Sequence, residues 1–413
     1  MKRALLLTIT TLAIAAPSAR AQRVLDVSPS GPLHRVSDAI AAASPGDTVV
    51  IHAGTYREPL ISIAKRLTIV GDGQPVLDGG GSHGLLLVTA DDVTVRGLVL
   101  RNVGTSFVDD RAAIKVDNAR FCSIDNNRIE NAFFGIYLAR VTDCRVTYNE
   151  IRGAATRETE AGNGIHLWTS RRITIIGNDI SGHRDGIYFE FVHDSDIHGN
   201  TSEWNVRYGL HFMYSDGCRY LANTFRHNGS GVAVMYTKGV TMTANHFEDN
   251  WGPASYGLLL KEISDATLER NVFAHNTTGL LADGANRIVA LRNEFRDNGW
   301  AVRLDASTVD GEFTLNNFIG NSFDVTTNSR FPSTRFSGNY WDDYRGYDLD
   351  HDGSGDVPFR PVRLFSVIVE KHAASLILMH SAFTSLLDAA ERVVPSLTPD
   401  ALADARPAMR PIR

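Results

Sequence analysis

Gly186-Ile187-Tyr188-Phe189-Glu190 is followed by Asn200, and one period later Gly209-Leu210-His211-Phe212-Met213 is followed by Asn223. The pattern is glycine, apolar, any residue, apolar, and then Asn-x-apolar about 14 residues further on. Its glycine recurs at Gly135, Gly164, Gly186, Gly209, Gly231, Gly257 and Gly279. Its asparagine recurs at Asn127, Asn149, Asn178, Asn200, Asn223, Asn245, Asn271, Asn293, Asn316 and Asn339, with steps of 22, 29, 22, 23, 22, 26, 22, 23 and 23. A repeat of this length is the mark of a solenoid. Period-two alternation after each glycine and a second apolar run before each asparagine (Arg172-Ile173-Thr174-Ile175 before Asn178) are strand patterns. The expectation is an all-β chain, a right-handed parallel β-helix with about 22 residues per rung. Rungs stack ~4.8 Å apart, so residues one period apart lie above one another and the asparagine amides form a ladder. The asparagines are expected at turns, where left-handed φ is tolerated. The two long steps read as insertions near 156–162 and 251–256, and insertions on a solenoid tend to mark its binding face.

The ends differ from the middle. Residues 1–21 read as a secretory signal: Lys2 and Arg3, an apolar run Ala4–Ala16, and Ala19-Arg20-Ala21 before the cut at Gln22. Residues 22–60 read as a cap and first rung, with a short amphipathic helix at His34–Ala43 over the open end. Residues 61–345 are the solenoid, 346–360 an Asp-rich loop, and 361–413 a helical tail. In that tail His372, Leu376, Met379, Phe383, Leu387 and Ala390 fall near one stripe, and Pro395 ends it. The remainder, with Pro399, Pro407 and Pro411, reads as extended or mobile, and the tail serves either as a cap or as a dock for a partner.

Loss of the signal removes three cations (Lys2, Arg3, Arg20) and no acid, which takes the net charge from −6 to −9. An acidic chain without a basic block argues against nucleic acid as a partner. Export together with the absence of a second long apolar run places the protein in the periplasm. Cys122, Cys144 and Cys218 each lie five residues before a rung asparagine, an inward position where they act as small core residues. Cys122 and Cys144 are stacked neighbours, so a disulfide between them is open, with at least one thiol left over.

The stacking rule also sets out two outward columns. One holds His166, Tyr188, His211, Ala233 and Leu259; the other holds Trp168, Glu190, Met213, Met235 and Lys261. Met213 and Met235 become neighbours with His211 on the same strand, and thioether plus imidazole suits Cu(I). His166, Glu190, His211, Met213 and Met235 are therefore the candidate metal residues; an adaptable protein-binding face is the competing reading. A second candidate is Asp348, Asp350, Asp352 and Asp356 around Gly353, which resembles the start of a Ca²⁺ loop but has Phe359 where the last glutamate belongs. No catalytic residues are assigned. Asp109, Asp110, Arg111, Asp185 and Asp283 are scattered in phase, not gathered as a glycan-cleaving site requires.

Several runs carry a family resemblance: Gly186-Ile-Tyr-Phe-Glu-Phe, the Tyr208–Asp216 run Tyr-Gly-Leu-His-Phe-Met-Tyr-Ser-Asp, Val234-Met-Tyr236, Tyr256-Gly-Leu-Leu-Leu-Lys261 and Gly338-Asn-Tyr-Trp-Asp-Asp-Tyr344. Together with the Asp-rich loop and the helical tail they resemble the NosD family, periplasmic accessory proteins of nitrous oxide reductase maturation. The resemblance implies a β-helix that works with an ABC transporter and a copper chaperone to build the copper-sulfide centres of the reductase. It supplies no ligand list. A uronate lyase or epimerase, or a scaffold that never touches metal, are the alternatives.

Overall fold

The computed structural model describes residues 21–329, 333–379, 381–393 and 402–413. All of the expected signal except Ala21, and also Pro395 and Pro399, lie outside the described residues. The described chain winds into a parallel β-helix with three sheets. A 14-stranded first sheet runs from Val24–Val27 to Arg335–Ser337. A 13-stranded second sheet runs from Thr55–Tyr56 to Tyr340–Trp341, and a 12-stranded third sheet from Ile61–Ile63 to Phe323–Thr327. One rung reads Asp185–His193 (third sheet), Asp196–His198 (first) and Thr201–Glu203 (second), before Tyr208–Met213 returns to the third.

The apolar residues of each strand fill the interior. Phe225, Phe247, Phe273, Phe295, Phe318 and Trp341 stack in sequence with centroids 4.1–5.7 Å apart. The three cysteines are buried in this core as free thiols. Glycine is required where rungs approach most closely: a Cβ on Gly231 would lie 2.2 Å from the carbonyl oxygen of Gly257.

The asparagines are buried from Asn127 to Asn339. Each donates both its backbone N–H and its side-chain Nδ2 to the Oδ1 of the next at 2.8–3.0 Å. In one respect the turn departs from expectation. The left-handed φ belongs to the residue before each ladder asparagine, such as Tyr148, Ala222, Arg270 and Leu315. The asparagine contributes its side chain, not an unusual backbone. A second ladder, unforeseen, occupies the next corner: His183, Asn205, Asn228, Asn250, Asn276, Asn298 and Asn321, joined by N–H to Oδ1 bonds of 3.0–3.1 Å.

Helix α1 (Val36–Ala42) covers the first rung with Val36, Ala39 and Ile40 buried. The tail is not one continuous helix. Helix α2 (Leu364–Lys371) ends where His372 leaves helical φ and ψ, a 3₁₀ segment follows at Ala373–Leu378, and α3 (Ala382–Val393) turns back. The break lets Phe365 and Val369 pack on Phe323 and brings Leu376, Met379 and Leu387 to the same cluster. The helices thus lie on the outer face of the third sheet, tied by Arg303 to Glu370 at 3.1 Å.

The open end is closed by the last segment, extended as expected but pinned to the last rung. Asp404 is wholly buried and takes the place that an eleventh asparagine would fill. Its carboxylate accepts from Gly338 N (3.1 Å), Asn339 N (2.9 Å), Asn339 Nδ2 (3.0 Å) and Trp341 Nε1 (3.2 Å). Asp404→Ala leaves four donors, three of them buried, without an acceptor and is expected to destabilise the protein by about 3 kcal/mol in urea unfolding, whereas Asp404→Asn, the ladder residue, retains most of the stability. Equal losses in the two variants would refute this account of the cap.

Candidate functional site

The register of the third sheet brings the two outward columns into line. Tyr137, His166, Tyr188, His211, Ala233 and Leu259 are successive partners, as are Ala139, Trp168, Glu190, Met213, Met235, Lys261 and Asp283. The five candidate residues occupy this face, but they do not converge on one point.

His166 is sandwiched between Tyr137 (4.4 Å) and Tyr188 (4.8 Å). Its Nδ1 accepts from Asn163 Nδ2 at 2.9 Å, which leaves the ring proton on Nε2. Burial, aided by the charge of Arg184, pushes its pKa down to about 3, so the ring is neutral. Tyr188 then separates it from His211, which meets that ring edge-on at 5.2 Å. Burial pushes the Tyr188 phenol up to about 12. The face was expected to present His211 outward; the side chain does leave the solenoid interior but is only 6% exposed. Tyr208 leans on it at 4.9 Å and is itself hydrogen-bonded, hydroxyl to hydroxyl, to Tyr256 at 3.3 Å. Tyr256 ends one insertion, and Asn163 follows the other. Both insertions therefore overhang this sheet, at the corner that precedes it.

Beneath lies a buried ion network. Asp185, with no exposed surface, accepts two hydrogen bonds from Arg207 at 2.8 and 2.5 Å, with Arg184 at 3.5 Å. Burial opposes ionisation, but the hydrogen bonds of Arg207, the neighbouring His211 ring at 3.9 Å and the charges of both arginines hold its pKa below the usual carboxylate range. The register pairs Asp185 with Tyr208, so Arg207 reaches the carboxylate from the position just before its stacked partner. The Arg207 guanidinium lies 3.4 Å from His211 Nδ1, and His211 Nε2 has no hydrogen-bond partner.

Met213 and Met235 are half-buried register partners, with Glu190 the next residue in their column. Exposed Phe191, Tyr214 and Tyr236 stack alongside at 5.2 Å spacings. Toward the N-terminal rungs the face opens into a cleft of about 480 Å³ lined by Tyr137, His166, Trp168 and Glu190, with the ion pair Lys115–Asp110 at 2.9 Å. The face thus presents two thioethers and a carboxylate side by side, one neutral imidazole at a cleft and one sealed beneath tyrosines. That donor set suits a soft cation.

The carboxylates weighed for catalysis are all paired: Asp109 with Arg111, Asp110 with Lys115, Asp185 with Arg207 and Asp283 with Lys261. In the Asp-rich loop Asp348, Asp350 and Asp352 come within 4.8 Å of one another. Asp356 is not among them and accepts from Leu349 N at 2.8 Å, while Asp352 is paired with Arg406.

His183 heads the second ladder fully buried, with neither ring nitrogen hydrogen-bonded, and burial pushes its pKa down to about 4. His166 and His183 both remain neutral in the fold. Below pH 6.5 the unfolded chain takes up protons that these rings refuse, so stability is full above that value and falls as pH drops toward their folded pKa values of about 3 and 4. Each is expected to cost about 2 kcal/mol between pH 6.5 and 5 in denaturant unfolding, and His183→Asn should flatten part of the slope. A stability independent of pH over that range would count against the burial of both rings.

Comparison with known proteins gives the family of the chain. Residues 148–346 match the family model described as periplasmic copper-binding protein (NosD). The chain is 31% identical over 355 residues to the probable ABC transporter binding protein NosD of Pseudomonas aeruginosa, covering 81% of this chain and 82% of that one. The protein of the same description from Stutzerimonas stutzeri is 28% identical over 355 residues, with 81% and 80% coverage. Among solved structures, the catalytic unit of an α-1,3-glucanase from Streptomyces thermodiastaticus superposes with a TM-score of 0.56 at 15% identity, covering 74% of this chain and 65% of that one; this likeness concerns the fold alone.

Proposed function

The chain belongs to the NosD family, and on that premise we propose that it is a periplasmic copper-handling protein, not an enzyme, serving copper-sulfide centre assembly in nitrous oxide reductase. The observation that carries this reading is the pair Met213 and Met235, placed one rung apart on an accessible face with Glu190 beside them. Two thioethers hold Cu(I), the carboxylate balances its charge, and the Phe191–Tyr214–Tyr236 stack shields the ion and meets the copper chaperone. The neutral imidazole of His166 offers a second stop at the neighbouring cleft, and His211 supports the face from beneath. The family's description as copper-binding supports the metal. The pairing of every candidate carboxylate with a cation supports a binding role over glycan cleavage, for which a free acid and base are needed.

Met213→Leu with Met235→Leu keeps volume and packing. In an anaerobic competition titration the double variant is expected to lose at least about tenfold in Cu(I) affinity. Affinity equal to that of the parent protein would overturn the assignment.

We also propose that the tail docks on the transporter. Among the described tail residues Ile377 is 88% and Leu386 67% exposed, large apolar side chains that the solenoid does not use. Ile377→Ser with Leu386→Ser should abolish co-purification with the transporter and leave the melting temperature unchanged. Undiminished co-purification would move the docking surface elsewhere.

A further inference from the structure

Both ladders end in acid. The first closes on Asp404, and the second closes on Asp324, whose carboxylate accepts from Asn321 Nδ2 at 3.4 Å. Asp324 stands in the column of the repeat glycines, where the register runs from Gly279 to Ala301 to Asp324. Earlier in that column a side chain would strike the next rung: a Cβ on Gly279 would lie 2.7 Å from the carbonyl oxygen of Ala301. Among the described strands the third sheet ends with Phe323–Thr327, so the Asp324 carboxyl takes the space of a rung that does not follow.

That space is the root of the tail. Asp342 and Asp343 follow the last strand of the second sheet, and their carboxylates and that of Asp324 bring oxygens within 4.8 Å of one another. Asp342 also accepts from Gly320 N at 2.6 Å. From the tail, Arg363 precedes helix α2 and is ion-paired with Asp343, while Glu391 of α3 accepts from Leu364 N. Arg303 and Glu370, the other charged pair between sheet and tail, neutralise each other at 3.1 Å. Helix α2 lays Phe365 on Phe323, the residue before Asp324, with 6.0 Å between ring centroids. Three carboxyls thus meet one guanidinium in a corner where Asp324 is only 7% exposed. Like charges so close in a buried place do not all ionise. Burial pushes Asp324 up to about 7; Arg363 and the Asn321 hydrogen bond pull it down, and the charge of Asp342 adds to the rise.

We propose that this corner is a proton-operated latch on the tail: with a proton on Asp324, α2 stays packed over the end of the third sheet, and once the proton leaves, the repulsion among three carboxylates and the cost of a buried charge loosen it. The direction follows from linkage. The packed state keeps the Asp324 proton up to about pH 7, whereas a carboxyl freed to water gives it up near 3.8. Packing is therefore firmest below pH 3.8, weakens as pH rises and levels off above about 7. This is opposite in sign to the burial of His166 and His183, which weakens the whole fold in acid, so the latch shows in the tail and not in global unfolding. It concerns the packing of the tail on its own solenoid and is independent of what the tail meets.

The test is hydrogen–deuterium exchange of the mature full-length protein from about pH 5 to 8, with rates corrected for the intrinsic pH dependence of amide exchange. Protection of the α2 amides, Leu364–Lys371, is expected to fall by at least about tenfold between pH 5 and 7 and little thereafter, while the solenoid strands show no such loss. Asp324→Asn is neutral at every pH and still accepts from Asn321, so it should keep α2 protected across the range. Asp342→Asn should move the fall to lower pH, since one like charge is gone. Protection of α2 that does not change with pH in the parent protein, or an Asp324→Asn variant that keeps the parent's slope, would overturn the proposal.

Discussion

The structure depends on the stacking of one rung's polar groups on the next. A turn buried at a solenoid corner has backbone donors that no strand satisfies, and burying them unmet is costly. The asparagine ladder answers each with a side-chain oxygen from the rung above, and answers its own amide in the same step. Every rung is thereby locked to its neighbours at a constant rise. From that constancy follows the vertical alignment of every other residue: the Phe stack inside, the ion pairs outside, and the Glu190–Met213–Met235 column.

A fixed register also explains why the third sheet is where specialised residues gather. The corner before it is the one that admits extra length. The segments near 156–162 and 251–256 enlarge the loop without disturbing the ladder on either side. Their residues then fold back over the sheet. Tyr256 with Tyr208 seals His211, and Asn163 orients His166. A flat strand surface becomes a patterned face with a buried Asp185–Arg207 pair under it and thioethers at its rim.

Legibility in the sequence follows the same division. The repeat, the inward cysteines and the pairing of Met213 with Met235 were readable because period alone decides which residues are stacked. The second ladder from Asn205 to Asn321 obeys the same period and was there to be found, whereas Arg207 meets Asp185 from one position off the register. Other features could not be read that way. The sealing of His211 depends on where an aperiodic loop places Tyr256, and the break at His372 depends on packing against Phe323. Asp404 sits 65 positions beyond Asn339, outside any period, so nothing local marks it as the ladder's final member.

That final member has a further consequence. The ladder has a direction: each amide hands its hydrogens toward the C-terminal end, so an unfinished solenoid presents spare donors at its last rung. In this chain the first acceptor, Asn127 Oδ1, is taken by Leu98 N inside the stack, so the donors of the last rung are the ones left to be met; left bare, they would invite another chain to pair there. Asp404 meets the spare donors and, being a carboxylate, has no hydrogen to pass on. A change of one amide to one acid at the last position turns an open pattern into a molecule of finite length.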